Sequence, residues 1–157
     1  MTYLDDRTFR NAMGKFATGI TVVTTEVDGN THGMTANAFM SVSLNPKLVL
    51  VSIGHHARMH DIIKKAGKFA VSVLAADQEE YSVIFAGQRK DEQSIHFKRL
   101  NDMPVIDGAL VNLICKVYDS HLAGDHTLYI GEVTDLTMQD GDPILYFGGR
   151  YRKLDTN

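Results

Sequence analysis

Apolar and polar residues alternate along most of the chain, a pattern that is typical of half-buried β-strands. The alternation predicts strands over residues 20–27, 48–53, 69–74, 110–118, 128–133 and 144–147. Asp28-Gly29 is a strong hairpin turn, and Asn45-Pro46 supplies another turn because proline disfavours helix before it. Regularly spaced strands with few helices between them indicate an antiparallel barrel, so the predicted fold class is mainly β with flanking helices.

Three segments have apolar residues at helical spacing instead, over residues 5–19, 58–66 and 77–87. Asp5 or Asp6 can cap the first helix, with Gly19 as its stop. In the third helix, Asp77 and Glu80 have the spacing of a capping box. All three segments are short, so we expect few helices around the barrel.

Two further segments bear on partners. Residues 88–103 are polar and weakly periodic, which predicts a long loop with at most one helical turn, of the kind that often covers a site or contacts a partner. Residues 110–118 carry apolar side chains on both faces, as expected where one face meets a second subunit. The sequence therefore predicts a homodimer.

Composition excludes several classes of function. The 157 residues suffice for one domain, 1–157, and 44% are hydrophobic, enough for a sizeable core. The net charge is −3 with no basic block, which argues against nucleic acid or an anionic membrane surface as partner.

No apolar stretch approaches the ~20 residues that cross a bilayer. Acidic residues near the start and a single cysteine, Cys115, in an apolar strand predict a cytoplasmic chain with a packed thiol.

Residues 32–54 are the richest candidate for a ligand site. Small side chains in this run let a flat ligand approach the backbone, and hydroxyl and amide groups can bond its polar edge. The polar candidates are Thr35, Asn37, Ser41 and Ser52. Serine and threonine are also common in plain half-buried strands, so composition alone leaves both interpretations open.

The predicted helix at 58–66 offers an anion site at its start. Free backbone N–H groups and the helix dipole favour an anion there, and Arg58 adds a positive charge. An exposed arginine without a ligand is the alternative. His55, His56 and His60 lack the glutamate and third ligand of a zinc motif, so we expect solvated histidines and no metal.

Four segments of the chain resemble the flavin reductase-like family, whose members have the FMN-binding split-barrel fold. The segments are FRNAMGKFATGITVVTT, GMTANAFMSVSLNPKLVLVSI, AGDHTLYIGEV and FGGRYRKL, which span residues 9–154. They are similar to the reductase components of two-component aromatic monooxygenases of the phenol and 4-hydroxyphenylacetate type. The resemblance thus implies an antiparallel split β-barrel.

The resemblance also implies a cofactor site. Flavin ring and ribityl contacts are expected along the run that holds Gly33, Met34, Thr35, Ala36, Asn37, Ala38, Ser41, Ser52 and Ile53. The phosphate contacts are expected at Ala57, Arg58 and Met59, and a further flavin-contacting segment at Phe85, Ala86 and Gly87. His126 is expected beside the nicotinamide, and Tyr151 near that same face.

The function implied is an NAD(P)H:flavin oxidoreductase. Hydride transfer from NADH would reduce FAD or FMN, and the reduced flavin would reach a separate oxygenase. The flavin carries the redox chemistry, so no side chain is assigned a catalytic role. The alternatives are a flavin-dependent oxidase of the pyridoxamine-phosphate type and a non-catalytic flavin- or haem-binding module. The sequence does not decide whether the flavin is FAD or FMN, or whether it stays bound or exchanges. It also does not decide between NADH and NADPH or identify the partner oxygenase.

Overall fold

The structure is a computed structural model that describes residues 3–87 and 95–155. Strands account for most of the regular structure in this part of the chain. The helices are α1 (Asp6–Met13), α2 (Arg58–Ala66) and α3 (Glu79–Phe85). The strands are β1 (Thr18–Gly19), β2 (Thr21–Val27), β3 (Asn30–Ala36), β4 (Phe39–Leu44), β5 (Lys47–Gly54), β6 (Lys68–Val73), β7 (Phe97–Leu100), β8 (Met103–Ile106), β9 (Val111–Ala123), β10 (His126–Met138), β11 (Ile144–Phe147) and β12 (Arg150–Lys153).

Seven strands form one antiparallel sheet in the order β3-β2-β6-β9-β10-β5-β4. The sheet curls, because β3 approaches β5 although four strands separate them in the sheet order. The predicted Asp28-Gly29 turn is confirmed: both residues have positive φ, 53° and 77°, and Val27 pairs with Asn30 across it. The antiparallel barrel expected from the strand pattern is therefore confirmed.

The barrel interior holds the largest core cluster, in which Phe69 is fully buried. Gly131 makes room for that ring, because a Cβ at this position would lie 2.6 Å from Phe69 Cζ and 2.8 Å from Cys115 Cβ. Cys115 is itself buried, and burial raises the pKa of its thiol to about 12. The prediction of a packed thiol is confirmed.

Packing within one chain explains part of the apolar pattern on the two faces of β9. Leu113 and Cys115 face the barrel interior, whereas Ile114 packs in a separate cluster with Met103 and Val105 of β8. The β7–β8 hairpin thus covers Ile114, whereas Tyr118 of the same strand is 54% exposed. The expectation that β9 meets a second subunit stays a prediction.

That hairpin lies where the sequence predicted a loop over residues 88–103. Residues 88–94 lie outside the described part of the chain, but β7 and β8 form a two-stranded antiparallel sheet. Asn101 and Asp102 turn the chain with positive φ, a conformation that asparagine and aspartate tolerate better than most residues. Arg99 ties the hairpin to β2 with a 2.6 Å bond to Glu26. The sequence did not predict β7 because this strand is mostly exposed and carries the charged residues Lys98 and Arg99, so it lacks the apolar alternation of the other strands.

The helix boundaries need two corrections. Asp5 caps α1 as predicted, since its Oδ1 accepts from the Thr8 N–H at 2.7 Å, but α1 ends before Gly14 and not at Gly19. The capping box of Asp77 and Glu80 is wrong, because α3 begins at Glu79. The side chain of Gln78 instead bonds to the Ala75 N–H and the Asp107 carbonyl.

A small three-stranded sheet, β1-β11-β12, lies beside α1. Its last strand, β12, follows the Gly148-Gly149 turn and was not predicted. Helix α1 has no buried residue, and the side chains of Phe9, Met13 and Phe16 are 53%, 55% and 79% exposed. No helix within residues 3–87 and 95–155 is long and apolar enough to cross a bilayer.

Candidate functional site

A cavity of about 500 Å³ lies between β3, the start of α2, the end of α3 and β7. Its walls come from segments that are far apart in sequence and include both apolar and polar groups. The lining residues are Thr31, His32, Gly33, Met34, Ala57, Arg58, Met59, Ile62, Ile84, Phe85, Ala86, Gly87, Ile95 and Phe97. Eight predicted site residues, from three separate motifs, therefore meet in one cavity.

The start of α2 supplies the cationic part of this cavity. Ala57 is the N-cap in an extended conformation, and no side chain caps the first N–H groups of the helix. Arg58 is exposed, and no acidic group among the described residues pairs with its guanidinium. Uncapped N–H groups beside a free arginine fit a phosphate group.

Gly33 and Phe85 form a close contact in the opposite wall. A Cβ at Gly33 would lie only 2.3 Å from Phe85 Cε1, so only glycine lets the ring pack on β3 in this position. Phe85 also lines the cavity. The glycine therefore determines how far the aromatic ring extends into the cavity.

A second cavity of about 230 Å³ adjoins the first, because Ala86 lines both. Its other lining residues are Thr35, Asn37, Ser82, Tyr146 and Tyr151. The Thr35 hydroxyl donates to the Ser82 carbonyl at 2.7 Å, and the Ser82 and Tyr151 hydroxyls are 2.9 Å apart. These bonds join β3, α3 and β12 around the cavity.

Asn37 carries the clearest sign of a ligand. Its Oδ1 is buried and has no hydrogen-bond partner among the described residues. A buried oxygen without a donor is costly, and a ligand N–H or O–H entering the second cavity would satisfy it. Together the two cavities fit a long ligand with a phosphate at one end and hydrogen-bond donors further along.

Several predicted site residues lie outside both linings as formed by residues 3–87 and 95–155. The side chains of Ala36 and Ile53 are buried in the barrel core, so a ligand contact from them would use the main chain. Ala38 and Ser41 are exposed beside and on β4, and Ser52 lies on β5, where its N–H donates to the Ala38 carbonyl. Their roles in binding stay predictions.

His126 begins β10 and is exposed. Its Nδ1 lies 2.7 Å from Oδ1 of Asp125, and this hydrogen bond holds the pKa of the Asp125 carboxyl below its usual value. Gly54 is its partner in β5, and a Cβ there would lie 3.6 Å from His126 Nε2. The histidine thus lies beside Gly54, where β5 ends and the turn into α2 begins, and its nicotinamide role stays a prediction.

The sequence interpretation missed eight lining residues. Ile62 belongs to the apolar face of α2, and Phe97 is in the hairpin that was predicted as loop. Ser82 lies inside α3, where a hydroxyl has no pattern that marks it. The missed set is Thr31, His32, Ile62, Ser82, Ile84, Ile95, Phe97 and Tyr146.

Comparisons with known proteins identify relatives of this chain. The family model described as "Flavin reductase like domain" matches residues 13–155. An "NADH-dependent flavin reductase" from Rhodococcus sp is 47% identical over 149 residues, which cover 93% of this chain and 85% of the relative. The "4-hydroxyphenylacetate 3-monooxygenase, reductase component" of Thermus thermophilus is 36% identical over 147 residues, 93% of this chain and 95% of the relative.

Among solved structures, "Flavin reductase PheA2 in native state" superposes with a TM-score of 0.95. It is 56% identical in sequence, and the match covers 98% of this chain and 100% of that one. A family model that spans nearly the whole chain and a structure of this similarity lead to one conclusion. The chain belongs to the flavin reductase-like family.

Proposed function

We propose that this chain is an NADH-dependent flavin reductase that supplies reduced flavin to a separate monooxygenase. The observation that carries the proposal is the meeting of three distant motifs, at β3, the start of α2 and the end of α3, around one cavity. The names of the relatives support the activity, since one is an NADH-dependent flavin reductase and another is a monooxygenase reductase component.

The residues present fit a flavin. Arg58 and the N–H groups at the start of α2 would hold the phosphate, and Asn37 Oδ1 would accept a hydrogen bond from the ligand. Apolar walls at Met34 and Phe85 would exclude water from the flat ring. When bound, the flavin accepts a hydride from NADH and so supplies the redox chemistry.

Separation of reduction from oxygenation follows from the available space. An oxygenase must also enclose an aromatic substrate beside its flavin and keep water away. The two adjoining cavities, about 500 and 230 Å³, are of the size that a single flavin would occupy. Hydroxylation is therefore assigned to another protein.

The test is NADH oxidation by the purified chain with free FMN or FAD, without any phenol. NADH should be consumed, and oxygen should turn the reduced flavin into peroxide. Hydroxylated phenol should appear only when a separate oxygenase is added, even behind a membrane that passes free flavin. Phenol hydroxylation by the chain alone, in proportion to NADH consumed, would overturn the proposal.

His126 is proposed to contact the nicotinamide and not the flavin. His126→Ala should then slow NADH-dependent reduction by about 10²-fold or less while flavin affinity stays nearly unchanged. Dithionite, which needs no nucleotide site, should still reduce bound flavin in this variant. His121→Ala, an exposed histidine on β9, is the matched control. An equal loss of flavin binding in His126→Ala would place the residue in the flavin site instead.

We also propose a homodimer in the cytoplasm, where NADH is available. The apolar side chains of Phe9, Met13 and Phe16 support a partner, because they form an exposed apolar face at α1 that residues 3–87 and 95–155 do not cover.

A further inference from the structure

Thr127 lies at the centre of a hydrogen-bonded group beside the start of α2. Its hydroxyl oxygen is 3.1 Å from His55 Nε2 and 2.9 Å from His60 Nε2. The other ring nitrogen of His60, Nδ1, lies 3.0 Å from Oδ1 of Asp61. Thr127 itself is only 5% exposed, so water offers its hydroxyl few alternative partners. The group joins β10, the turn after β5 and α2.

The directions of these bonds follow from the proton count. A threonine hydroxyl has one proton, so it can donate to only one of the two histidines. The Asp61 carboxylate only accepts, so Nδ1–H of His60 donates to it, and in the tautomer with its proton on Nδ1 the Nε2 atom of His60 is an acceptor. Thr127 therefore donates to His60 and accepts from Nε2–H of His55. Each side chain in the series has one assigned direction.

His55 and His60 flank the residues that begin α2. Residues 57–59 lie between them in sequence, and all three line the first cavity. The His60 carbonyl is fixed as well, because the Tyr129 hydroxyl donates to it at 2.8 Å. The start of α2 is thus attached to β10 on both sides of the positions proposed to hold a phosphate.

We propose that Thr127 is a positioning residue for the phosphate-binding start of α2. It is not among the described residues that line either cavity, so it acts through His55 and His60 and not by touching the ligand. The inference rests on the proposed flavin reductase function. It makes a sharper claim, namely that loss of the Thr127 hydroxyl weakens binding of a flavin that has a phosphate and spares one that has none.

The experiment compares FMN with riboflavin, which lacks the phosphate, by quenching of flavin fluorescence without NADH. Thr127→Val keeps the shape of the side chain but loses both hydrogen bonds. Its Kd for FMN should rise about tenfold, with less than about a twofold change for riboflavin. Thr127→Ser, which keeps the hydroxyl, should restore FMN affinity to within about threefold of the wild type.

Two further variants calibrate the result. Arg58→Ala should show the same selective loss for FMN, because it removes the proposed phosphate contact itself. Thr24 lines neither cavity, and its buried hydroxyl donates to the Pro104 carbonyl of β8 at 2.6 Å. Thr24→Val removes this bond and should leave the ratio of FMN to riboflavin affinity unchanged. A general loss of stability is thereby distinguished from a loss of positioning.

His55→Ala provides the same test if Thr127→Val does not fold, since His55 is exposed. It should raise the Kd for FMN severalfold and leave that for riboflavin unchanged. Equal losses for both flavins, or unchanged FMN binding in the folded variants, would overturn the positioning role alone. A wild-type chain that binds neither flavin would overturn the proposed function together with it.

Discussion

At the scale of the residue, Gly33 shapes the site because it has no side chain. The ring of Phe85 occupies the space where a Cβ of residue 33 would lie, and this ring is also part of the cavity wall. An added methyl group must push that ring outward, and the space available to it includes the ligand cavity. One atom in β3 therefore controls the width of a pocket whose opposite wall is α2.

Gly33→Ala should lower the free energy of unfolding by about 1–3 kcal/mol, because overpacking forces a shift of the Phe85 ring. FMN affinity should fall as well, since the displaced ring narrows the cavity. Urea denaturation and a fluorescence titration measure the two effects. Gly19→Ala is the control: no atom lies within 4 Å of a Cβ there, and stability should stay within about 0.5 kcal/mol. Equal effects of the two substitutions would contradict this account.

At the scale of the element, one pair of hydroxyls connects α3 to β12. Ser82 is 1% exposed, and its Oγ lies 2.9 Å from the hydroxyl of Tyr151. The Ser82 carbonyl also accepts from Thr35 of β3, so three elements around the second cavity depend on one position in α3. Helix α3 is short, and this bond helps to fix its place against the small sheet.

Ser82→Ala and Tyr151→Phe should each lower the free energy of unfolding by about 0.5–1.5 kcal/mol. The double variant should lose little more than either single one, because both substitutions remove the same bond. Tyr146→Phe is the control, since its hydroxyl has no hydrogen-bond partner among the described residues. Additive losses, measured by urea denaturation, would show that the two hydroxyls act separately.

The sequence predicted helices and strands correctly where residues close together in sequence determine the structure. Helix α2 was predicted with both ends correct because its apolar face repeats regularly and Gly67 ends it with a φ of 70°. The β7–β8 hairpin was missed because its outer residues are charged and the residues it covers lie in β9. Such a strand is stabilised by tertiary burial, which no local pattern shows.

The site followed the same rule. The start of α2, which is proposed to hold an anion, is a local feature, and the sequence predicted where this helix begins. The hydrogen bonds of Ser82 and Thr127 join residues that are 47 to 72 positions from their partners. Serine and threonine inside regular elements look alike in a sequence whether or not such a partner exists. Those roles required the three-dimensional arrangement.

At the scale of the whole molecule, the exposed apolar face of α1 bears on assembly. An exposed amphipathic helix contributes little to a single subunit, because it buries nothing there. Burial of its apolar face against a second copy would account for its sequence pattern. The unit that works in solution is accordingly expected to contain two chains.

Sedimentation velocity should give a particle of twice the 17.4 kDa chain mass. Met13→Glu, which places a charge in the apolar face of α1, should shift the equilibrium toward the single chain. Asn11→Glu introduces the same charge on the same exposed helix and should leave the mass unchanged. A wild-type chain that stays single while reducing flavin at the full rate would refute the dimer.

The distribution of the cavity walls links the cofactor to the lifetime of the protein. Segments near residues 31–34, 57–62, 84–87 and 95–97 meet only in the folded chain, so a flavin that fits between them binds the native state alone. At a free flavin concentration of 100 times Kd, such binding adds about 2.7 kcal/mol to a total stability of typically about 5–15 kcal/mol. Proteases act on unfolded chains, so a cell short of flavin would degrade this protein faster and hold less of it. The supply of riboflavin, the vitamin from which flavins are made, would then determine the amount of this protein as well as the amount of its ligand.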